Sequence, residues 1–231
     1  MDSYQELDAP AGLACAWIRS SSEPGTALVV PDGCTDLIWS EVSRELLIAG
    51  PDTRPHPTTT LPGRLLGVRF LPGVGPSVFG IPGHAIRDRR IAGSQLWHDA
   101  GQIAESLNDS DRPLRLLTSI AVTRIRRAPL DPLAAVLRQE FELASLAESI
   151  GVGDRQLRRR CLNAFGYGPK TLHRVLRFNR AVGLARSGVS FARVAATTGY
   201  ADQAHLSREV KALAGVPLGA LVNRDGRTRA A

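Results

Sequence analysis

Residues 194–215 read VAATTGYADQAHLSREVKALAG, and this stretch decides the fold of the C-terminal half. A helical run ends near Gly199, and Asp202 is expected to cap a second helix that extends to Ala214. The N-terminal half of that second helix is polar. A helix, a glycine turn and a second helix of this kind are typical of the helix-turn-helix motif, in which the second helix enters the major groove of DNA.

The same pattern occurs once more upstream. AESIG at 147–151 matches AATTG at 195–199 with an offset of 48 residues, and the next matches have an offset of 49, because one extra residue follows the turn glycine. The matched positions are Leu157 with Leu206, Arg159 with Arg208, Cys161 with Val210 and Gly166 with Gly215. The sequence therefore predicts two helix-turn-helix motifs, at residues 143–165 and 191–214.

A long helix is predicted between the two motifs. Pro169 suits its first position, and the helix is expected to run to about Arg186. Its 18 residues span roughly 27 Å at 1.5 Å per residue. Successive major-groove faces on one side of DNA lie about 34 Å apart. One chain is thus able to place both second helices in adjacent grooves.

Three stretches resemble the AraC/XylS family of bacterial transcription regulators. They are LASLAESIGVGDRQLRRR at 143–160, FGYGPKTLHRVLRFNRA at 165–181 and the opening stretch at 194–215, and the resemblance covers about residues 131–222. It implies that the chain binds a double-stranded DNA operator and, if it is an activator, that it contacts RNA polymerase.

The chain departs from the family pattern at a few packing and capping positions. Gly153 stands where a capping serine is usual, so Asp154 is expected to take over the cap. Cys161 and Val210 stand where the family favours phenylalanine, and Leu218 replaces a frequent proline. None of these departures removes a residue that is expected to face DNA.

The polar N-terminal halves of the two second helices supply the candidate DNA contacts. Arg155 and Arg158 are expected to read guanine and Gln156 to read adenine, because these side chains match the donors and acceptors of those base edges. The other candidates on the two helices are Asp154, Arg159, Asp202, Gln203, His205 and Arg208.

Some of these candidates have an alternative structural role. Arg159 and Arg208 hold equivalent positions in the repeat, and each can instead make a structural ion pair. Asp202 is better suited to capping its helix than to reading a base. Arg174 and Arg177, on the connecting helix, are expected to contact phosphate or to lie on a solvated surface.

The charge distribution agrees with a nucleic-acid partner. Residues 1–141 carry 14 basic and 16 acidic side chains, whereas residues 142–231 carry 15 basic and 6 acidic ones, so the net charges are −2 and +9. Of those 15 basic side chains, 13 are arginines, which make planar, bidentate contacts to phosphate and guanine. The alternative is a solvated basic surface.

Residues 1 to about 95 are predicted to form short strands. Apolar runs at 28–30, 37–39, 46–48 and 65–70 recur about ten residues apart, and turn signals separate them. This rhythm is typical of a small β-sandwich or barrel. The proline-rich segment at 54–63 is expected to be a loop or an edge strand, because proline lacks the donor that a central strand needs.

Two stretches of this part resemble the small cupin-like domain of one subgroup of the same regulators. They are VVPDGCTDLIW at 29–39 and GVRFLPGVGPSVFGIPGHAIRDRRI at 67–91. The resemblance implies a sensor or dimerisation domain, and a barrel can enclose a ligand. The candidate ligand contacts near one mouth of the barrel are Cys34, Trp39, Arg69 and Phe70.

The first of those stretches holds a turn and a lone cysteine side by side. Residues 31–33 read Pro-Asp-Gly, which is a turn by its chemistry. Cys34 follows, and no basic residue within the stretch lowers its pKa. A structural corner is therefore favoured over a reactive thiol.

Two helices are predicted between the strands and the helix-turn-helix motifs, at 96–107 and 113–127, and Asp111 is expected to cap the second. They suit the interface of a homodimer, and they equally suit packing on their own barrel.

Other function classes find little support in the sequence. The three cysteines and five histidines are dispersed, and no C-x-x-C pair occurs, so neither a metal site nor a cofactor is predicted. No nucleotide-binding or catalytic motif is present, and an enzyme is not predicted. No apolar run approaches the ~20 residues of a membrane helix, and the acidic N-terminus lacks the features of a secretory signal. A cytoplasmic protein is expected.

The sequence as a whole predicts an α+β chain with three parts. A cupin-like β sensor and dimerisation domain spans residues 1–95, a helical linker 96–128 and an AraC-type DNA-binding domain 129–231. The predicted function is sequence-specific transcription regulation that responds to a small effector in the barrel. The alternatives are a regulator that uses the barrel only for dimerisation and, less favoured, a cupin-type enzyme tethered to DNA.

Overall fold

The computed structural model describes residues 3–139 and 151–226. Its strands are β1 Ser3–Leu7, β2 Leu13–Ser21, β3 Gly25–Val29, β4 Thr35–Ser40, β5 Glu45–Ala49, β6 His56–Thr60, β7 Gly63–Phe70 and β8 Arg90–Ala92. Its α-helices are α1 Gly75–Phe79, α2 Gly83–Ile86, α3 Ala100–Asn108, α4 Pro113–Arg127, α5 Pro132–Gln139, α6 Asp154–Phe165, α7 Pro169–Arg186, α8 Phe191–Thr197, α9 Gln203–Ala214 and α10 Leu218–Gly226. The predicted α+β class is confirmed, because an antiparallel sheet region is followed by a helical domain.

We call residues 3–127 the sheet region and helices α5 to α10 the helical domain. In the sheet region, six strands form one antiparallel sheet in the order β1-β2-β7-β4-β5-β8, and β3 pairs with β6 in a separate two-stranded sheet. The proline-rich strand β6 therefore lies at an edge, as expected, and Pro57 stands opposite Leu28.

Side-chain alternation decides what each face of the large sheet contacts. On β4, Leu37 and Trp39 are buried in the apolar core that the sheet shares with α1 to α4, whereas Asp36 and Ile38 are only half-buried. Residues i and i+2 of a strand share a face. Helices α1 to α4 thus cover one face of the sheet and leave the other to a mixture of polar and apolar side chains, such as Asp36 and Trp17.

Helices α4 and α7 have the bounds that the sequence predicts, and both carry proline in the first turn. Helix α3 is shorter than predicted, because it begins at Ala100 rather than at residue 96. Trp97 lies before it, where its ring packs 5.7 Å from that of Phe79. Asp111 does not cap α4, because Arg112 occupies the N-cap position. The first helix of the motif predicted at 143–165 lies outside the described residues, which resume at residue 151.

The helical domain has two apolar cores of its own. One joins α5, α6 and the first half of α7, and it includes Leu172 and Val175. The other joins the second half of α7 to α8, α9 and α10, and it includes Phe178 and Val182. Helix α7 is therefore a structural member of both units. Within the described residues, no helix is both long enough and apolar enough to cross a membrane.

Candidate nucleic-acid interface

The internal repeat is reproduced in the structure by helices α6 and α9. Each has 12 residues, and each ends at a glycine in the left-handed conformation, Gly166 at φ 79° and Gly215 at φ 71°. The turn glycines that precede the two helices, Gly151 and Gly199, also have positive φ. Glycine adopts this conformation without the steric cost that other residues meet. The repeated glycines are thus explained by the turns they make.

Helix α6 turns its apolar side inward and its basic side to solvent. Leu157 and Cys161 are buried in the core shared with α5 and α7. The five predicted contacts are all exposed: Asp154, Arg155, Gln156, Arg158 and Arg159. The predicted cap was wrong, because Asp154 is the first helical residue and Gly153 occupies the N-cap without a side-chain bond.

Helix α9 has a similar arrangement with a different start. The Asp202 carboxylate accepts a hydrogen bond from the His205 backbone N–H at 2.6 Å, so Asp202 caps the helix as predicted. The His205 ring is half-buried, and it meets the Tyr200 ring edge-to-face at 5.3 Å. Gln203 and Arg208 are exposed. Their side chains, rather than the imidazole, are the freest groups on this helix.

Arg159 and Arg208 take equivalent places on the two helices. Both are exposed, and neither has an ion-pair partner within the described part of the chain. The structural ion pair that the sequence left open is thus not formed among these residues, and their contact with DNA stays a prediction.

Arg174 and Arg177 on α7 differ from expectation, because both make contacts within the chain. The Arg174 guanidinium donates to the Glu209 carboxylate at 2.7 Å and so ties α7 to α9. The Arg177 guanidinium lies 4.2 Å from the centre of the Tyr200 ring, a cation–π contact. No sequence signal pointed to Glu209, which lies 35 residues from its partner. A role in binding phosphate stays a prediction for both arginines.

The Arg174 contact changes the acidity of its partner. The hydrogen bond from Arg174, together with its charge, lowers the pKa of the Glu209 carboxyl below its usual value. The pair is partly buried, with the Glu209 side chain 22% exposed. Glu209 therefore stays ionised at neutral pH and keeps the link between α7 and α9.

The four candidate ligand contacts of the sheet region do not form one site. Trp39 and Phe70 are buried in the core between the sheet and helices α1 to α4. Arg69 comes directly before Phe70 on β7 and so points to the opposite face. Cys34 precedes β4 and lies on the side of Arg69. The expectation of a common barrel mouth was wrong, because strand alternation places these side chains on two faces.

Arg69 lies among three carboxylates. Its Nε is 3.2 Å from Asp36 Oδ1 and 3.5 Å from Asp32 Oδ2, and its Nη1 is 3.4 Å from Glu6 Oε1. The indole N–H of Trp17 donates to Asp36 at 2.8 Å. Burial raises the pKa of Asp36, while the charge of Arg69 acts in the opposite direction. Arg69 is thus neutralised within the protein rather than free to bind an anion.

Cys34 is the corner residue that the sequence favoured. Its backbone N–H donates to the Asp32 side chain at 2.8 Å, and Gly33 has φ 77°, which together make the predicted turn. Burial, with a smaller contribution from the Asp32 charge, raises the pKa of the Cys34 thiol well above its usual value. The thiol is therefore protonated and a poor nucleophile.

Two open grooves flank helix α4. One has a volume of about 480 Å³, with apolar walls that include Leu7 and Val122 and with Arg115 and Arg126 at its rim. The other has a volume of about 550 Å³ and is more polar, with Arg127 beside the Arg124–Asp99 ion pair. Among the described residues, no cluster of three or more His, Cys, Asp or Glu side chains is arranged to hold a metal ion.

Two families match the chain. The family described as a helix-turn-helix domain matches residues 146–224, and a domain of unknown function, DUF6597, matches residues 11–92. Among solved structures, ToxT from Vibrio cholerae is 11% identical with a TM-score of 0.48, over 96% of this chain and 97% of ToxT. A structure of wild-type ToxT with an unsaturated fatty acid bound is 8% identical with a TM-score of 0.45, over 96% of this chain and 94% of that one. No curated protein matches the chain.

Proposed function

We propose that this protein is a cytoplasmic transcription regulator of the AraC type that binds a double-stranded DNA operator sequence-specifically, because residues 146–224 match a helix-turn-helix domain. In this proposal residues 129–231 bind DNA, residues 1–95 serve as the sensor and dimerisation domain, and residues 96–128 link the two. The observation that carries the proposal is the pair of equal helices, α6 and α9, with exposed arginine and glutamine side chains.

The connecting helix supports a bipartite mode of binding. Helix α7 belongs to the apolar cores of both units, so one continuous helix joins the unit of α6 to the unit of α9. Its 18 residues span roughly 27 Å, close to the ~34 Å between major-groove faces on one side of DNA. We infer that α6 and α9 enter adjacent grooves of the same duplex.

A small effector is part of the proposal, and the grooves beside α4 are where it would bind. Their volumes of about 480 and 550 Å³ fall within the ~300–1,000 Å³ of ordinary ligand pockets. Helix α4 leads directly toward the helical domain, so a ligand held against it is able to bias the position of that domain.

The second candidate is a regulator without a ligand, in which the sheet region only supports a homodimer. One observation favours it: the core face of the sheet is covered by side chains such as Leu37 and Phe70, both of which are fully shielded from solvent. In either case, an activator of this kind would also contact RNA polymerase.

Footprinting tests the proposal. The probe is a duplex selected by the full-length chain from a random-sequence library, and the expected result is protection of two major-groove segments about one helical turn apart. Protection of a single segment would contradict the bipartite mode, and the absence of any selected sequence would overturn the function. Thermal unfolding with a library of small molecules separates the two candidates, because a ligand that binds only the folded state raises the midpoint.

A further inference from the structure

The sheet region is hydrogen-bonded to the turn that joins α6 to α7. The Tyr167 hydroxyl is buried and donates to the Asp52 backbone carbonyl at 3.0 Å. The Arg87 guanidinium donates to the Gly166 carbonyl at 3.1 Å. The turn between the first recognition helix and the connecting helix is therefore bonded to two separate segments of the sheet region.

Glycine allows this contact to be close. A Cβ atom added to Gly83 in α2 would lie 2.6 Å from the Gly166 nitrogen and 3.0 Å from the Asn163 carbonyl oxygen. A Cβ added to Gly166 would lie 2.8 Å from Pro51. The backbones of α2 and of the α6 C-terminus are thus in direct contact, with no side chain between them.

Two more bonds join the sheet region to the helices on either side of α6. Arg138 of α5 donates to the Pro72 carbonyl at 2.9 Å, and Asn179 of α7 donates to the Asp32 carbonyl at 2.6 Å. With the bonds at Tyr167 and Arg87, the acceptors are all backbone carbonyls. A backbone acceptor fixes position more strictly than a flexible side chain does, because it cannot change rotamer.

Helices α8 to α10 contact the sheet region more lightly than α5 to α7 do. A Cβ added to Gly215, after α9, would lie 3.5 Å from Pro55, an ordinary van der Waals distance. Val30 packs against the edge of the core of α8 to α10. The sheet region therefore contacts α6 closely, while α9 packs on α7 through a shared apolar core and the Arg174–Glu209 pair.

We propose that the sheet region positions the first recognition helix, α6, for its half of the DNA site through its contacts with the Gly166–Tyr167–Gly168 turn. This inference rests on the proposed function. The contact lies at the C-terminal end of α6, whereas Arg155, Gln156 and Arg158 near its N-terminal end are exposed. The contact between the sheet region and this turn is thus compatible with DNA binding. Gly83, Arg87 and Tyr167 are positioning residues, because they act on DNA only through α6.

Gly83→Ala adds a methyl group that crowds this contact specifically. The three nearest atoms to the added methyl group all belong to Asn163 and Gly166, so the substitution crowds the helical domain and not the sheet region itself. Gly101→Ala in α3 is the matched control, because nothing lies within 4 Å of its added Cβ.

The experiment uses the full-length chain and the selected duplex with either half-site scrambled. Overpacking a close contact shifts the backbone by displacing its neighbours. For Gly83→Ala we expect the affinity for the intact duplex to fall by about tenfold, the hydroxyl-radical footprint over the first half-site to fade, and the second half-site to stay protected. Scrambling the first half-site should then cost the variant much less affinity than it costs the wild type. Gly101→Ala should behave as the wild type.

Tyr167→Phe gives an independent check that leaves the glycine contact intact. It removes the bond to Asp52 and should weaken the first half-site in the same direction by a smaller factor. Unchanged or tighter binding by a folded Gly83→Ala protein would overturn the inference, as would equal loss at both half-sites. If Gly83→Ala does not fold, unchanged discrimination at the first half-site in Tyr167→Phe overturns it. Failure of the wild type to select any duplex would instead overturn the proposed function.

Discussion

Arg155 on α6 and Arg208 on α9 are exposed side chains on the two helices that repeat each other. A bidentate arginine–guanine contact contributes about 1–3 kcal/mol of discrimination. We expect the double variant Arg155→Ala/Arg208→Ala to lose at least about tenfold in affinity for the selected duplex, with a smaller loss for random DNA. Fluorescence anisotropy on both duplexes measures the difference.

Arg112→Ala/Arg115→Ala is the control of equal charge change, because both arginines are exposed at the start of α4 in the sheet region. It should leave the ratio of specific to random affinity unchanged. An unchanged ratio in the double variant would show that the two helices do not read bases through these arginines.

The Arg174–Glu209 pair makes the stability of the helical domain depend on pH. The contact lowers the pKa of Glu209 in the folded state, so the folded protein binds this proton less readily than the unfolded chain does. The stabilisation is fully present above the unfolded pKa of about 4.3 and is lost as the pH falls through the folded pKa. We expect the free energy of unfolding of Glu209→Gln to decrease less steeply than that of the wild type as the pH is lowered through this range. Urea denaturation at a series of pH values measures it.

Lys211→Gln serves as the comparison, because Lys211 lies two residues after Glu209 on exposed surface of α9. Its acid dependence should match that of the wild type. An identical acid dependence in Glu209→Gln and the wild type would mean that the pair contributes no net stability.

Among the elements, α9 has a capping residue and a proposed DNA contact at two consecutive positions. Asp202 accepts a hydrogen bond from the His205 backbone N–H, and the loss of such a cap costs about 1 kcal/mol. Gln203 is exposed and makes no such bond. We expect Asp202→Ala to lower the thermal midpoint by several degrees, roughly 2–4 °C for a chain of this size, and Gln203→Ala to leave it unchanged.

The order of the two effects should reverse when DNA affinity is measured at a temperature where both variants are folded. Gln203→Ala is then expected to weaken the second half-site, whereas Asp202→Ala keeps most of the affinity. Similar midpoints for the two variants would rule out the cap as a source of stability.

The elements that were predictable from sequence carry their own local signals. Pro169 fixes the start of α7, and the paired glycines fix the ends of α6 and α9, because proline and glycine act through the backbone of their own position. Strands β1 and β2 were missed. Strand β1 is mostly polar, and β2 is apolar on both faces over residues 13–18, with Trp17 on the face of Arg69 and Ala16 toward the helices. Neither strand shows the alternation that marks a half-buried strand.

The candidate site was predictable only where its residues are close in sequence. The exposed faces of α6 and α9 follow from helical spacing. The partners of Arg174 and Tyr167 lie 35 and 115 residues away, and no local pattern connects residues so far apart. The ligand candidates failed for a related reason: a shift of one residue along a strand exchanges its two faces.

At the scale of the whole molecule, the positive charge belongs to the DNA-binding half. Residues 142–231 carry a net charge of +9 and residues 1–141 a net charge of −2. Each phosphate that a basic side chain neutralises adds about 0.9 to the slope of log affinity against log salt concentration. We expect binding to random DNA to weaken steeply with salt, and Arg159→Ala on α6 to reduce the slope by about one unit.

Arg115→Ala on α4 removes the same charge from an exposed site in the sheet region and should leave the slope unchanged. Titrations of both variants from low to physiological salt make the comparison. If both substitutions reduced the slope equally, the attraction would come from net charge alone, and α6 would have no privileged contact with the DNA backbone. If only Arg159→Ala reduced it, the basic half would bind through that helix, as the exposed face of α6 requires.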